Sequence, residues 1–401
     1  MYHKIVIEAR DLLFFRDGRP VNNGAGANWP MPQTAFSALN SAFRQRWPQP
    51  QPWEQVSRFD QGSWRRSNRF PSLNTIGPFP EKDGRIFVPT PADLKPGAIL
   101  APLINVPGRS NLPSSVKYPV GANIGASKNA CAKWMPLDEY RKYLIGDCNV
   151  KTVDDEALFD IEERPGISID AESRTAVDGK LFFGSYMRLR RGVGMAMWAQ
   201  CQSGDADVVA EFFAGSPRQL VFGGQRGCVE AVLERNDGVK MPFEELAAKA
   251  SITGRLVKWV LLSPAGYQCG YLPNFVSESG QVMLTVPNGP LPDRRRFRSR
   301  DDYRKACRAA SRPLSARLVA AVIPKHLSYS GWNLEFNRPE RTLNLVPPGS
   351  VYYFESANDD DGRTLAEVLG RTRSSEFFGS QGFGLGICTS FDYIDFNTLD
   401  K

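Results

Sequence analysis

Apolar and polar positions divide the chain into two similar halves. Residues 2–9 alternate, as expected of a strand with one face buried. Pro32 stands where a helix can begin, and Ala35, Phe36, Leu39, Ala42 and Phe43 then recur at helical spacing up to Trp47. From 48 to 136 the sequence is rich in Pro, Gly, Ser and Asn, with short strand-like pieces such as 85–88. This predicts an insertion that wraps a surface or orders on a partner. A helix is expected at 137–143, and residues 164–183 read as two strands around a polar tip, an exposed β-hairpin. Strands at 186–190 and 194–199, a short helix at 206–213 and a strand–glycine–strand element at 220–231 complete the first half.

Near residue 245 the pattern restarts. Residues 256–262 and 317–323 read as buried strands, with the arginine-rich segment 294–312 between them, of which 294–300 reads as a solvated loop. A strand at 351–354 and a short helix at 364–369, ended by Gly370, lead into a glycine-rich loop and a closing strand at 387–393. Each half therefore offers a strand, a helix, strands, a helix and a final strand. This order predicts an α+β protein of two ferredoxin-like βαββαβ modules. The first spans 1–245, with the insertion 48–136 and the hairpin 164–183, and the second spans 246–401, with the glycine loop 379–386.

The loop is Gly379-Ser-Gln-Gly-Phe-Gly-Leu-Gly386. Glycines permit positive φ and remove Cβ atoms, so such a loop either cradles phosphate with its amides or packs very closely. No Lys-Ser/Thr follows Gly386, and the glycines precede a strand instead of opening a helix, which argues against nucleotide chemistry.

Composition narrows the function further. The chain has 401 residues, 42% hydrophobic and 23% charged, enough for two ordinary cores. Seven scattered cysteines without a C-x-x-C pair suggest neither a disulfide framework nor a zinc site, and a reducing cytoplasm is expected. No apolar run approaches the roughly 20 residues of a membrane-spanning helix, so no membrane role is indicated. The net charge of +7 is unevenly spread. Arginines gather at 16–19, 65–69, 188–191 and 294–300, and acids at 154–163 and 359–361, which points to one face for a polyanion such as RNA.

An ordered set of short motifs carries a resemblance. It comprises Asp11-Leu-Leu-Phe-Phe-Arg-Asp-Gly-Arg-Pro20, Pro30-Met-Pro32, Phe222-Gly-Gly-Gln-Arg226, Ser330-Gly-Trp332, Arg338-Pro339, Val346-Pro-Pro-Gly-Ser-Val-Tyr-Tyr-Phe354 and the glycine loop. Together they resemble the RAMP superfamily, and within it the subunit of the type III-B CRISPR (Cmr) effector complex that caps the 5′ handle of the guide RNA. The resemblance implies a non-catalytic subunit without a cofactor or metal. Its partners would be the guide RNA, the large polymerase-like signalling subunit and the first backbone RAMP subunit, with target RNA met indirectly. It also implies that Gly382, Gly384 and Gly386 form the signature loop and that the hairpin 164–183 acts as a thumb against the guide.

Single-stranded RNA is held by backbone amides, by arginines on phosphates and by planes that stack on splayed bases. The residues offered for this are Gln381 and Phe383 in the loop, Trp332 and Arg338 before it, and Arg16, Arg19, Arg44, Arg174, Arg190, Arg226 and Lys325 elsewhere. The rival function is a metal-independent RAMP endoribonuclease that processes guide precursors, for which Lys325, His326 and Tyr329 form the one acid/base cluster. The other histidine, His3, lies in the first strand, where a structural role is expected.

Overall fold

The computed structural model describes residues 1–15, 29–49, 51, 69–108, 110–123, 130–170, 172–215, 217–225, 227–234, 241–249, 252, 254–333, 338–339 and 341–399. Its fold is mixed α+β, with antiparallel sheets and few helices.

The first half builds a seven-stranded sheet. Its elements are β1 (His3–Ala9), α1 (Pro32–Arg46), β2 (Asn74–Lys82), β3 (Arg85–Pro89), β4 (Trp134–Pro136), α2 (Leu137–Leu144), β5 (Phe159–Ile169), β6 (Ala176–Leu189), β7 (Val193–Gln200), α3 (Val208–Phe213), β8 (Arg218–Val221) and β9 (Cys228–Leu233). The sheet runs β8-β9-β1-β7-β2-β3-β4, while β5 and β6 pair with each other and β6 also bridges Leu13 through Met187. At its centre the order β9-β1-β7-β2 is fourth, first, third, second in chain sequence. Here α1 joins the first pair, and α3 lies between the second pair.

After α4 (Pro242–Lys249) the second half repeats that order with β10 (Leu256–Leu261), α5 (Arg300–Ala309), β11 (Ala316–Val322), β12 (Val351–Ser356), α6 (Asp359–Arg371) and β13 (Gly386–Ser390). Its sheet is β11-β12-β10-β13, with every pairing antiparallel.

Strand alternation sends successive side chains to opposite cores. On β7, Met195, Met197 and Ala199 face α1 and α3, where they meet Leu39, Phe43, Val208 and Phe212. Ala196 and Trp198 point the other way, into a core shared by both sheets that holds Ile76 and Phe79 from β2 and Val260, Tyr353 and Ile387 from the second half. Val257, Trp259 and Leu261 of β10 face a third core, closed by α6 and by Tyr267, Leu272, Phe275 and Val276. The two sheets therefore lie face to face across one apolar layer.

Three expectations from the sequence are corrected. The segment 48–136 is no mere appendage, since β2, β3 and β4 all extend the first sheet. Pro78 and Pro80 disguised β2, because proline cannot donate to a ladder. Pro78 falls at an irregularity opposite β7, between the Ala196 and Trp198 pairings, Pro80 lies opposite Met195, and β3 meets β2 only at residues 81 and 82, beyond both prolines.

The helix expected at 364–369 starts at Asp359, so the acid run 359–361 forms the first turn of α6. Asn358 caps this helix, its Oδ1 accepting from the Asp361 amide at 2.9 Å, and carboxylates are favoured at that end of a helix. Gly370 accordingly lies inside α6 and does not end it. Lastly, the solvated loop read at 294–300 leads into a helix not expected from the sequence, α5, capped by the Ser299 hydroxyl, which accepts from the Asp301 and Asp302 amides at 3.1 and 3.0 Å.

A buried polar group ties the segment before β4 to the second sheet. Asp93 is fully buried and accepts from Tyr143 at 2.6 Å, Tyr353 at 2.9 Å and the Lys258 ammonium at 3.1 Å. Lys258 also lies 4.4 Å from the centre of the Tyr143 ring. Burial, then the Asp93 charge, pushes the hydroxyls of Tyr143 and Tyr353 well above the usual tyrosine range, so both stay protonated donors.

Candidate nucleic-acid interface

The glycine loop forms where the two halves meet. Phe378 and Gly382 have left-handed backbone at φ 61° and 97°, and a single 3-10 turn, Gly379–Gln381, lies between them. A Cβ on Gly382 would stand 3.1 Å from the Pro32 side chain and 3.2 Å from the Thr75 carbonyl oxygen, so the loop packs against the start of α1 and against β2. At Gly384, with φ 76°, a Cβ would lie 2.6 Å from the Ser374 backbone, and at Gly386 it would collide with the Trp259 indole. Close approach therefore requires these glycines.

The amides of residues 381–385 are already used. Those of Gln381 and Gly382 donate to Phe378 and Gly379 at 2.8 and 3.2 Å, and that of Phe383 donates to Phe378 at 3.5 Å. Gly384 donates to the Pro264 carbonyl at 2.8 Å and Leu385 to the Ser263 hydroxyl at 2.9 Å. Phe383 is fully buried, with its ring 5.4 Å from Phe378 and 6.1 Å from Tyr329. Of the two readings of the loop, close packing is the one seen: Gly382, Phe383, Gly384 and Gly386 make a packed joint, with donors and apolar surface used inside the protein.

Sequence reasoning missed Arg373, which holds this joint. Its guanidinium donates to the carbonyls of Gly379 and Ser380 at 3.0 and 3.3 Å, to Asn74 Oδ1 at 3.4 Å and to the Tyr2 hydroxyl. Burial lowers its pKa to about 10, and no carboxylate pairs with it among the described residues. An isolated arginine upstream of the glycines gave no periodic signal; only the fold brings Tyr2, Asn74 and the loop around it. The Gln381 side-chain oxygen is buried without a hydrogen-bond partner among the described residues.

The remaining candidates do not converge on one pocket. Arg16, Arg19 and Arg226 lie outside the described residues, as do the side chains of Trp332 and Arg338, whose backbones pair across a two-stranded ribbon. Arg44, in the last turn of α1, is half-buried, and desolvation followed by the nearby Arg69 charge lowers its pKa. Arg174 is exposed at the tip of the hairpin with φ 55°, and Lys325 is exposed. Arg190 is bonded to Asp160 at 2.7 Å at the hairpin base. The hairpin itself runs from Phe159 to Leu189, longer than its expected span. One side bears exposed Ile161, Ile167, Ile169 and Phe183; the other carries the ion pairs of Glu162 with Arg164 and Arg188.

The acid/base cluster gains no geometry. His326 is exposed, whereas Tyr329 contributes its ring to the aromatic group with Phe378 and Phe383. His3 bonds Asp207 at 2.7 Å, and Asp207 also caps α3, a structural link between β1 and that helix. No group of three His, Cys, Asp or Glu side chains suited to a metal occurs among the described residues, and none of their helices is long and apolar enough to cross a membrane.

No curated protein matches the chain. A chain of the type III-B Cmr-beta complex, solved by cryo-electron microscopy bound to cognate target RNA and AMPPnP, is 12% identical. The match covers 91% of this chain and 87% of that one at a TM-score of 0.46. A chain of the Csm3–Csm4 subcomplex of a type III-A CRISPR-Cas interference complex is 11% identical, covering 88% and 94% at a TM-score of 0.40. The Cas_Cmr3 model of CRISPR-associated proteins matches residues 5–390, nearly the whole chain, and the protein therefore belongs to that family.

Proposed function

We propose that this protein is a non-catalytic guide-RNA-binding subunit of a type III-B CRISPR effector complex in antiviral defence. In this reading it recognises the repeat-derived 5′ handle of the guide and docks the large signalling subunit onto the backbone subunits in the cytoplasm. The family match across residues 5–390 is the observation that carries it. The repeated fourth-first-third-second strand order supports two ferredoxin-like modules, 1–245 and 246–401. Handle contact is assigned to side chains, since the amides of residues 381–385 are internally bonded. Arg16 and Arg19, which follow β1 in the sequence, Arg174 at the hairpin tip, Lys325 and Arg373, which no carboxylate pairs among the described residues, are the cations proposed to meet it.

A filter-binding titration of the full chain, alone and with the signalling subunit, tests this. A guide with its repeat-derived handle is expected to bind more tightly than one with a scrambled handle, without cleavage. Replacing Arg16 and Arg19 by Gln is expected to weaken handle binding and flatten its salt dependence. Equal affinity for both guides refutes handle recognition, and cutting of the RNA refutes the non-catalytic assignment.

A further inference from the structure

Residues 288–310 leave the second module as an excursion without a single buried side chain. Both ends are anchored. Thr285–Pro287 pairs with Ser311–Pro313, Val286 and Leu314 sit in the third core, and Arg312 bonds the buried Asp361 at 2.5 Å. The excursion holds eight basic and three acidic side chains, a net +5 within a chain whose total is +7.

Its acids serve local structure. Asp293 accepts from the Arg295 amide at 3.0 Å, and Asp301 and Asp302 occupy the first turn of α5, Asp301 lying 3.6 Å from Arg304. Arg295, Arg296, Arg298, Arg300, Lys305 and Arg308 are exposed and have no acidic partner among the described residues. Arg300, Arg304 and Arg308 recur every fourth residue, which makes one stripe with steps of about 6 Å along the helix axis. Like charges at this spacing destabilise a helix, so folding stability does not account for the stripe.

Seven of the eight cations are arginine, whose planar fork matches phosphate oxygens and stacks on bases. Beside them Phe297 and Tyr303 form a partly exposed ring pair at 5.7 Å, with Arg294 5.5 Å from the Tyr303 ring centre. Cations along a backbone together with aromatic planes are the means by which proteins hold single-stranded nucleic acid. An acidic peptide would use the charges but leave those planes without a role.

We infer that the 294–308 excursion is a second, sequence-independent site for single-stranded RNA, held by its phosphate backbone and separate from the glycine joint. That the nucleic acid is RNA rests on the function proposed above; the charge and ring geometry stand without it.

The test uses the full chain with a fluorescein-labelled oligouridylate, which has no handle, across a salt series. The triple substitution R300Q/R304Q/R308Q is expected to lower affinity about tenfold at low salt and to reduce the salt slope by about 2. The charge-preserving R300K/R304K/R308K is expected to retain the slope. Circular dichroism checks the fold, and Gln is a good helix former. Undiminished oligouridylate binding by the Gln variant overturns the site, as does a wild-type chain that does not bind the probe. Loss of binding to the signalling subunit with RNA binding intact also overturns it, making the excursion a protein-docking surface. The preference for the handle over the scrambled guide is read separately, so either proposal can fail while the other stands.

Discussion

Between the first and second strands of the N-terminal sheet the chain forms α1, which buries Ala35, Leu39 and Phe43 against the sheet. In the C-terminal sheet the same position in the topology carries α5, which buries nothing. The sheet face left by α5 is covered instead by irregular chain through Tyr267, Leu272, Phe275 and Val276, together with Leu365 and Leu369 of α6. Strand order is thus shared by the halves while the covering layer is not. A sheet requires apolar side chains over its face, and an irregular loop that satisfies its own backbone can supply them. A helix relieved of that duty is free to carry charge.

The largest effect is expected where α1 does what α5 does not. Phe43→Ala should destabilise the protein by about 4 kcal/mol in urea unfolding, whereas Arg304→Gln in α5 should change stability by no more than about 0.5 kcal/mol. Similar costs at both positions would erase the contrast. Next comes the polar tie between the halves: Asp93→Asn leaves Lys258 charged and buried, and about 3 kcal/mol should be lost. Adding Lys258→Met should recover part of that loss, and a double variant less stable than the single one would count against a simple charge imbalance.

The glycine joint should rank just below. Gly384→Ala meets both a positive φ and the Ser374 backbone, for an expected cost of about 2 kcal/mol by the same measurement. The smallest effect sharpens the comparison from the side of α5. Ser299→Ala removes its cap and should speed hydrogen exchange of the α5 amides, at about 1 kcal/mol locally, while leaving the global unfolding midpoint unchanged. A shifted midpoint would show that α5 is coupled to the core after all.

Much of the fold was legible in periodic segments. The strand at 256–262, the helix after Pro32 and the strand at 351–354 all occur with bounds close to those read, because the helix buries one face and so carries a period, while the two strands are buried on both faces and so read as continuous apolar runs. Three features were hidden for separate reasons. The two prolines of β2 mask a strand that pairs around them, the helix of 294–312 has no apolar stripe to announce it, and the start of α6 is written in cap chemistry that resembles an acidic loop. For the candidate site, the glycines were visible but their use was not. Whether an amide faces a phosphate or a carbonyl depends on what the rest of the chain brings alongside, and here it brings Pro264, Ser263 and Arg373.

The amino-acid sequence by itself determined the repeated strand and helix pattern, the uneven charge and the family motifs, since these follow from local spacing and residue type. Only the tertiary structure decided that the glycine loop is a joint, that Asp93 clamps the two halves and that most of the net charge is raised on the outlying excursion 288–310. Each of these is a matter of burial, which is set by contacts between segments far apart in the chain.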